Sequence, residues 1–271
     1  MTGSKKKQYQ WDAEQYAKHS GCQYEWALEL IEKLQLRGAE VVLDIGCGDG
    51  KVTAAIADNM SEGSVLGIDS STEMIALARR RHHDYSTDRL AFEHLDVREL
   101  DEVGRFDVVF SNATLHWIRE AHAAMLVRVR QAMKKGARLL FQMGGKGNAR
   151  DVVAVIEEML CHRTWAPFFL DFGFPYGFFG PSEYGPWLAQ AGLTPLRVEL
   201  FEKDMRHKGT DGFAGWINTT WLPYLERIPA DRKEAFVRAL VETYVREHPP
   251  DAEGRIHVRM VRLEVEATRT S

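Results

Sequence analysis

The sequence lacks the features that mark membrane proteins, disulfide-stabilised proteins and metalloproteins. Its three cysteines, Cys22, Cys47 and Cys161, have neither disulfide parity nor metal-ligand spacing. No stretch reaches the about 18 apolar residues of a membrane span, and the N-terminus has no apolar signal-peptide core. We therefore expect a cytoplasmic protein that has no metal site and no membrane contact.

Positive charge is also scarce. The formal net charge is −4 at pH 7, and the one basic run, Lys5-Lys6-Lys7, lies in a polar N-terminal segment. A nucleic-acid-binding domain would carry a basic patch or stripe. With 45% hydrophobic and 27% charged residues, the composition is ordinary for a globular protein. We expect a small molecule as partner rather than nucleic acid, and the sequence does not indicate the oligomeric state.

The first half of the chain contains a regular alternation of strands and helices. Strand-like runs lie at 41–45, 64–69, 90–95, 106–110 and 137–143, with helix-like segments between them. Such alternation predicts a mostly parallel sheet that is covered on both faces. Polar residues at every second position of 256–268 predict an antiparallel last strand on the edge side of the sheet.

These patterns predict an α/β fold with a Rossmann-like, doubly wound sheet of seven strands and a mainly helical cap. The second half adds a strand at 193–201 and helices at about 149–163, 182–191, 211–226 and 230–247. We assign an N-terminal helical lid to 1–36 and the nucleotide-binding core to 37–147. Cap segments at 148–181 and 202–250 are expected to bind a second small molecule, the acceptor of a transferred group. The rest of the core sheet lies at 182–201 and 251–271.

The most informative segment is the turn after the first strand, Val41–Ile45. It reads Asp44-Ile45-Gly46-Cys47-Gly48-Asp49-Gly50, and its glycines allow the backbone to approach a ligand closely. The following helix directs its N-terminal N–H groups at the same place. The dinucleotide fingerprint is not met, because the third glycine falls one residue early. Asp44 would repel a pyrophosphate and suits a ligand that carries a positive charge or an amino group.

Acids also end the next two strands. Asp69 follows Asp44 by about 25 residues, where a carboxylate can accept both hydroxyls of a ribose. Asp96 ends the third strand and can accept from an adenine amine, while Met74 can cover the adenine face. NAD would also require an acid after the second strand, but it explains neither Asp44 nor Asp96.

This series of motifs, from Val41 through Met143, resembles the class I S-adenosylmethionine (SAM) methyltransferases. The resemblance implies SAM as the cofactor and S-adenosylhomocysteine as the product. The residues expected to contact the cofactor are Tyr16, Asp44, Gly46, Cys47, Gly48, Asp69, Ser70, Met74, Asp96, Val97 and Asn112.

The loop after the fourth strand concerns the methyl acceptor. It reads Asn112-Ala113-Thr114-Leu115-His116-Trp117, without the Asn-Pro-Pro-aromatic motif of enzymes that methylate amino groups of nucleobases or glutamine. It resembles trans-aconitate and insect juvenile hormone acid methyltransferases, which are carboxyl O-methyltransferases. The segment Tyr16–Gln23 is also similar to the Tyr-x-Lys-x-Ser-x-x-Gln segment of the second family. That resemblance implies that Gln23 and Trp117 hold the substrate carboxylate.

The chemistry of a carboxylate acceptor agrees with these residues. A carboxylic acid has a pKa of about 4, so it is ionised at neutral pH and needs no base. The cap segments at 165–179 and 213–224 are rich in aromatic residues and contain no cation, which predicts an apolar pocket with one polar end and an apolar or amphipathic acceptor. The residues expected to line it are Trp165, Tyr176, Trp216, Trp221 and Tyr224.

Two other functions remain open from the sequence. A C- or N-methyltransferase of a natural-product scaffold would need a base, for which His116 or Tyr176 is the candidate. A SAM-binding protein without transfer activity would keep the glycine turn but have no acceptor cavity. His116 could equally serve in packing or hydrogen bonding.

Overall fold

The computed structural model describes residues 21–85 and 88–270, with side chains from Tyr24 onwards. Seven strands form one sheet in the order β3-β2-β1-β4-β5-β7-β6. The strands are β1 (Val41–Ile45), β2 (Ser64–Asp69), β3 (Leu90–His94), β4 (Phe106–Asn112), β5 (Met133–Gly144), β6 (Thr194–Lys208) and β7 (Arg255–Thr268). Strands β1 to β5 pair in parallel, and β7 runs antiparallel to both β5 and β6. This confirms the predicted fold.

Helices cover both faces of the sheet because successive strand residues point to opposite sides. Val42 packs towards Leu30 and Ile56 on one face, whereas Leu43 packs towards Met125 and Leu126 on the other. The helices are α1 (Gly21–Leu34), α2 (Lys51–Asp58), α3 (Thr72–Arg81), α4 (His122–Ala132), α5 (Arg150–Cys161), α6 (Pro181–Gln190), α7 (Gly209–Thr220), α8 (Leu222–Leu225) and α9 (Lys233–Glu247). In the described part of the chain no helix is long and apolar enough to cross a membrane.

The hairpin formed by β6 and β7 extends beyond the rest of the sheet. Strand β5 pairs with β7 only as far as Gly144 and Arg262, whereas β6 continues to pair with β7 up to Lys208 and Arg255. Residues 202–208 therefore belong to a strand and not to the cap, which corrects the predicted boundary at 201. The extension projects from the edge at which β1, β2 and β4 end, and its buried residues Met205, Val258 and Met260 pack with the cap.

Strand β7 lies between β5 and β6, so the prediction of an edge-side position was wrong. Two of its polar residues, Arg262 and Glu264, are buried, whereas the other polar residues of the strand stay partly exposed. Glu264 is almost fully buried, and it pairs with Lys33 of α1 at 2.8 Å and with Arg197 of β6 at 2.5 Å. A buried carboxylate is tolerated when it is paired and hydrogen-bonded, and Gln142 Nε2 also donates to it at 3.0 Å.

The cap consists of α5, α7, α8, α9 and the segment 162–180. Its core contains Phe213, Trp216, Phe236 and Tyr244, together with Met260 from the hairpin extension and other buried residues. The predicted single helix at 211–226 is divided at Trp221, because α8 restarts with Pro223 in its first turn. The division turns Thr220 and Trp221 towards the sheet, where they line a cavity.

Candidate active site

The glycine turn is tied to two neighbouring strands. The N–H groups of Gly46 and Cys47 both donate to Ile68 O of β2, at 2.7 and 3.0 Å. Thr114 Oγ1 donates to Gly46 O at 3.0 Å. A Cβ on Gly46, whose φ is +73°, would lie 2.0 Å from Thr114 Cγ2. Only glycine therefore allows the loop after β4 to close against this turn.

Asp69 is fixed beside the turn by two backbone donors. Gly48 N donates to Asp69 Oδ2 at 3.0 Å, and Ser71 N donates to Asp69 Oδ1 at 2.8 Å. Burial raises the pKa of Asp69, although these two hydrogen bonds act in the opposite direction. A Cβ on Gly48 would meet no atom within 4 Å, so the backbone beside Asp69 is open to a ligand.

Asp44 is a buried acid at the end of β1. It is 2% exposed, and Thr53 Oγ1 of α2 donates to its Oδ2 at 2.7 Å. Burial raises the pKa of Asp44 to about 7, and the negative charge of Asp69 adds to this effect. A cationic or ammonium-bearing ligand would favour the ionised form. The chemistry of this acid pair therefore fits SAM, which carries a sulfonium and an ammonium group.

An open cleft of about 520 Å³ adjoins these residues. Its lining includes five of the residues predicted to contact the cofactor: Asp44, Gly46, Cys47, Gly48 and Asn112. It also includes Tyr24, Lys51 and Thr114, which sequence reasoning missed. Lys51 Nζ lies 3.7 Å from the centre of the Tyr24 ring, so α1 closes one side of the cleft through a cation–π contact.

The other predicted cofactor residues take varied positions. Met74 and Val97 are buried, and Ser70 is exposed. Asp96 Oδ1 accepts from both the N and the Nε of Arg98 at 2.9 Å, so its carboxylate caps its own turn. Tyr16 lies outside the described residues. Gln23 belongs to α1, but its side chain is outside the described part.

A second cavity, of about 510 Å³, lies between the sheet and the cap. It is lined by Ala113, His116, Trp117, Asn148, Tyr176, Phe178, Met205, Trp216, Thr220, Trp221, Met260 and Arg262. Ala113 lines both cavities, so they adjoin at the loop after β4. Its φ is +56°, an uncommon value for a residue with a Cβ that concentrates at functional sites.

Comparisons with known proteins agree with this geometry. Residues 42–136 match the model of a methyltransferase domain family. The chain is 29% identical to trans-aconitate 2-methyltransferase of Methylobacterium nodulans over 275 residues, which cover 96% of this chain and 98% of that protein. The protein is a SAM-dependent methyltransferase.

Two solved structures share the fold of the methyltransferase. YcgJ protein from Bacillus subtilis superposes with a TM-score of 0.63 at 15% identity, covering 92% of this chain and 99% of that one. Phosphoethanolamine N-methyltransferase 2 of Haemonchus contortus, solved in complex with SAM, gives 0.59 at 18% identity. The match covers 96% of this chain and 57% of that one.

The structure brings five predicted acceptor-side residues of the methyltransferase to one cavity. These are His116, Trp117, Tyr176, Trp216 and Trp221. Trp165 and Tyr224 instead pack within the cap core, with ring centres 5.1 Å from Phe236 and 4.9 Å from Phe172, respectively. Aromatic composition did not separate lining residues from core residues, because the segments 165–179 and 213–224 each contain both kinds.

Arg262 is a charged lining residue that the sequence analysis missed. It is 3% exposed, and its guanidinium lies 5.6 Å from the Trp26 ring of α1. The prediction of a pocket without cations considered only the cap segments, whereas this cation comes from β7. The sequence feature that could have indicated this residue is an arginine on the final alternating strand. In the structure Arg262 pairs with Gly144 at the end of β5.

The two candidate bases of the methyltransferase are engaged in hydrogen bonds. Tyr176 Oη donates to Thr220 O at 2.8 Å. Gly144 N donates to His116 Nδ1 at 3.3 Å. Burial, together with the charge of Arg262, holds the pKa of His116 well below its usual range. Among the residues that the structure describes, no group of three His, Cys, Asp or Glu side chains could hold a metal ion.

Proposed function

We propose that this methyltransferase transfers the methyl group of SAM to a carboxylate of a small acid and forms a methyl ester. We assign the second cavity, between the sheet and the cap, to this acceptor and call it the acceptor cavity. The observation that carries the proposal is the charge of this cavity. Its described lining includes the buried cation Arg262 and contains no aspartate or glutamate. A positive charge in a cavity wall attracts an anion more strongly than it would in bulk water, so this cavity favours a negatively charged acceptor.

The chemistry requires little from the protein besides binding and orientation. When bound, SAM supplies a methyl group that is activated by its sulfonium. The acceptor carboxylate, with a pKa of about 4, is already ionised and needs no base. We propose that Trp117, from the cavity wall, and Gln23, from α1, orient this carboxylate by donating hydrogen bonds. Neutral donors hold a carboxylate without fully quenching its nucleophilicity.

The cap side of the cavity also bears on the proposed acceptor. Thr220 Oγ1 and the indole Nε1 atoms of Trp216 and Trp221 are buried, and none has a hydrogen-bond partner within the described ranges 21–85 and 88–270. A buried donor without a partner costs about 1–3 kcal/mol, which an acceptor with further oxygen atoms would recover. These groups, together with Arg262, support an acid with a second oxygen-bearing group over one with a plain hydrocarbon tail.

Known relatives support the same class of acceptor. The similarity to trans-aconitate 2-methyltransferases spans nearly the whole chain, and trans-aconitate is a carboxylic acid with further carboxylates. Methylation of carbon or nitrogen receives less support, because the base candidates His116 and Tyr176 are engaged with backbone groups.

The test is incubation of the protein and SAM with a panel of acids, followed by mass detection of methyl esters. The panel contains trans-aconitate and other tri- and dicarboxylic acids, with fatty, isoprenoid and aromatic monocarboxylic acids beside them. We expect esters, with the polycarboxylic acids used best. If esters form only on the monocarboxylic acids, the proposal that the acceptor carries a second oxygen-bearing group is wrong. If products form on amines or carbon and none form on acids, the proposal of a carboxylate acceptor is wrong.

A further inference from the structure

His116 occupies a special place in the acceptor cavity. It lies on the 3-10 turn Leu115–Trp117, just after Ala113, where the cofactor cleft and the acceptor cavity adjoin. Its side chain is 7% exposed, and its ring centre lies 5.8 Å from those of Trp117 and Phe178. Its carbonyl oxygen accepts from Gly177 N at 2.8 Å, so backbone and ring are both held in place.

The backbone of β5 determines which ring nitrogen of His116 carries hydrogen. The Gly144 N–H points at Nδ1 over 3.3 Å. A nitrogen that accepts a hydrogen bond carries no hydrogen, so the neutral ring has its hydrogen on Nε2. A cationic ring would place an Nδ1–H against the Gly144 N–H, and these two donors repel each other.

The charged surroundings of His116 also favour the neutral ring. Arg262 and His122 both disfavour the imidazolium, and none of the described residues that line the cavity is an acid that could stabilise it. His122 itself is engaged elsewhere, with Nδ1 2.7 Å from Tyr184 Oη and Nε2 2.6 Å from Ile118 O. The His116 ring, which lines the cavity, therefore carries one N–H, on Nε2, and no positive charge.

From this geometry we infer that His116 is a positioning residue for the acceptor, which it holds by donating Nε2–H to an acceptor oxygen, and that it is not a general base. A base would need a free lone pair facing the cavity. Here Nδ1 is used by Gly144, and Nε2 already carries a hydrogen. The assignment of the accepting oxygen to a carboxylate rests on the proposed function, whereas the hydrogen on Nε2 does not.

The first test does not require an acceptor. In ¹⁵N-histidine-labelled protein, long-range proton–nitrogen spectra distinguish a protonated ring nitrogen from an unprotonated one, and His116→Gln assigns the signals. We expect protonated Nε2 and unprotonated Nδ1 from pH 6 to pH 8.5. An Nδ1–H ring, or titration within this range, would overturn the inference even if methyl esters form.

The second test compares two substitutions with the best acid of the panel. In His116→Gln the amide can accept from Gly144 N and also donate to the acceptor, whereas His116→Leu can do neither. We expect kcat/KM within about threefold of the wild type for glutamine. For leucine we expect a loss of roughly 10- to 100-fold, mainly in KM, typical of a lost hydrogen bond to a charged group.

If His116 acted as a general base, the two variants would give a different kinetic result. Glutamine and leucine would then lose kcat equally, because neither takes up a proton at neutral pH, and the wild-type pH profile of kcat would show a histidine titration. That result would overturn the positioning role. Affinity for S-adenosylhomocysteine and thermal unfolding are measured for both variants, since a loss in either would indicate damage to the fold. If so, the spectra of the unaltered protein still decide the tautomer.

Discussion

The two cavities of this methyltransferase have opposite charges and different origins. The cofactor cleft has the buried acid Asp44 in its wall, with Asp69 beside it, whereas the acceptor cavity has the buried cation Arg262. Each charge opposes that of the ligand proposed for it. The cofactor cleft is built mainly from a turn close in sequence, but the acceptor cavity is assembled from loops, two strands and the cap.

The cofactor and the acceptor have separate cavities of opposite charge, and the two cavities adjoin at one residue. Ala113 lines both cavities, so donor and acceptor can approach each other there. If the charges act separately, substitutions in one cavity should change the binding of one ligand only.

Replacing Asp69 with alanine should weaken S-adenosylhomocysteine binding about 100-fold, because we propose that its carboxylate accepts charge-assisted hydrogen bonds from the ribose hydroxyls, and these would be lost. Calorimetric titration measures the affinity. Asp107→Ala is the matched control, because Asp107 Oδ2 also accepts a backbone N–H, from Val41 at 2.9 Å, at the opposite edge of the sheet. Equal weakening in the two variants would contradict a role of Asp69 in the cleft.

Replacing Arg262 with glutamine should raise the acceptor KM about 50-fold and leave the cofactor affinity unchanged, because an anion loses its buried partner. Steady-state kinetics with the best polycarboxylic acid measure this. The control is Arg259→Gln on the same strand, where the arginine is more exposed and pairs with Glu202. A similar acceptor KM for the two variants, or a loss of cofactor affinity in Arg262→Gln, would contradict the proposed role of Arg262 in acceptor binding.

Gln23→Ala and Trp117→Phe should each raise the acceptor KM about tenfold, since each removes one donor to the carboxylate. Cofactor affinity should change far less. Trp165→Phe is the control for the indole, because Trp165 packs against Phe236 in the cap core. If acceptor and cofactor binding fall together in Gln23→Ala, the residue supports the fold or the cleft instead.

The smallest effect concerns pH. Because the pKa of Asp44 is about 7 without ligand and a cationic ligand lowers it, SAM binding releases a proton below pH 7. Affinity should therefore fall about fourfold from pH 8 to pH 6.5. Calorimetry in buffers of different ionisation enthalpy measures the released proton. Asp44→Asn should bind more weakly and without this dependence; an unchanged pH dependence in that variant would contradict the assignment.

The same raised pKa affects stability with a defined sign. Between pH 4 and pH 7 the folded protein holds a proton on Asp44 that the unfolded chain has released. This group therefore makes the unliganded fold less stable as pH rises through that window, and chemical denaturation at several pH values should show the trend. Asp44→Asn should reduce it.

Five of the residues predicted to contact the cofactor line one cleft, because the sequence signals on that side are local. Strands β1 and β2 are short apolar runs, and Asp44, Gly46, Gly48 and Asp69 follow directly from where these strands end. In a parallel sheet such ends meet at one edge. The acceptor side depends on contacts between distant segments, so the same reasoning recovered Trp117, Tyr176, Trp216 and Trp221 but also chose Trp165 and Tyr224.

Periodicity and turn chemistry are properties of neighbouring residues, so the order of strands and helices, the glycine turn and the acids around it follow from the sequence alone. The place of β7 inside the sheet, the pairing of Glu264 with Lys33 and the position of Arg262 in the cavity wall depend on contacts between distant segments and are set by the tertiary fold. Charged residues at alternating positions of a strand suggest a solvated face, but they can be buried when oppositely charged residues from distant parts of the chain pair with them.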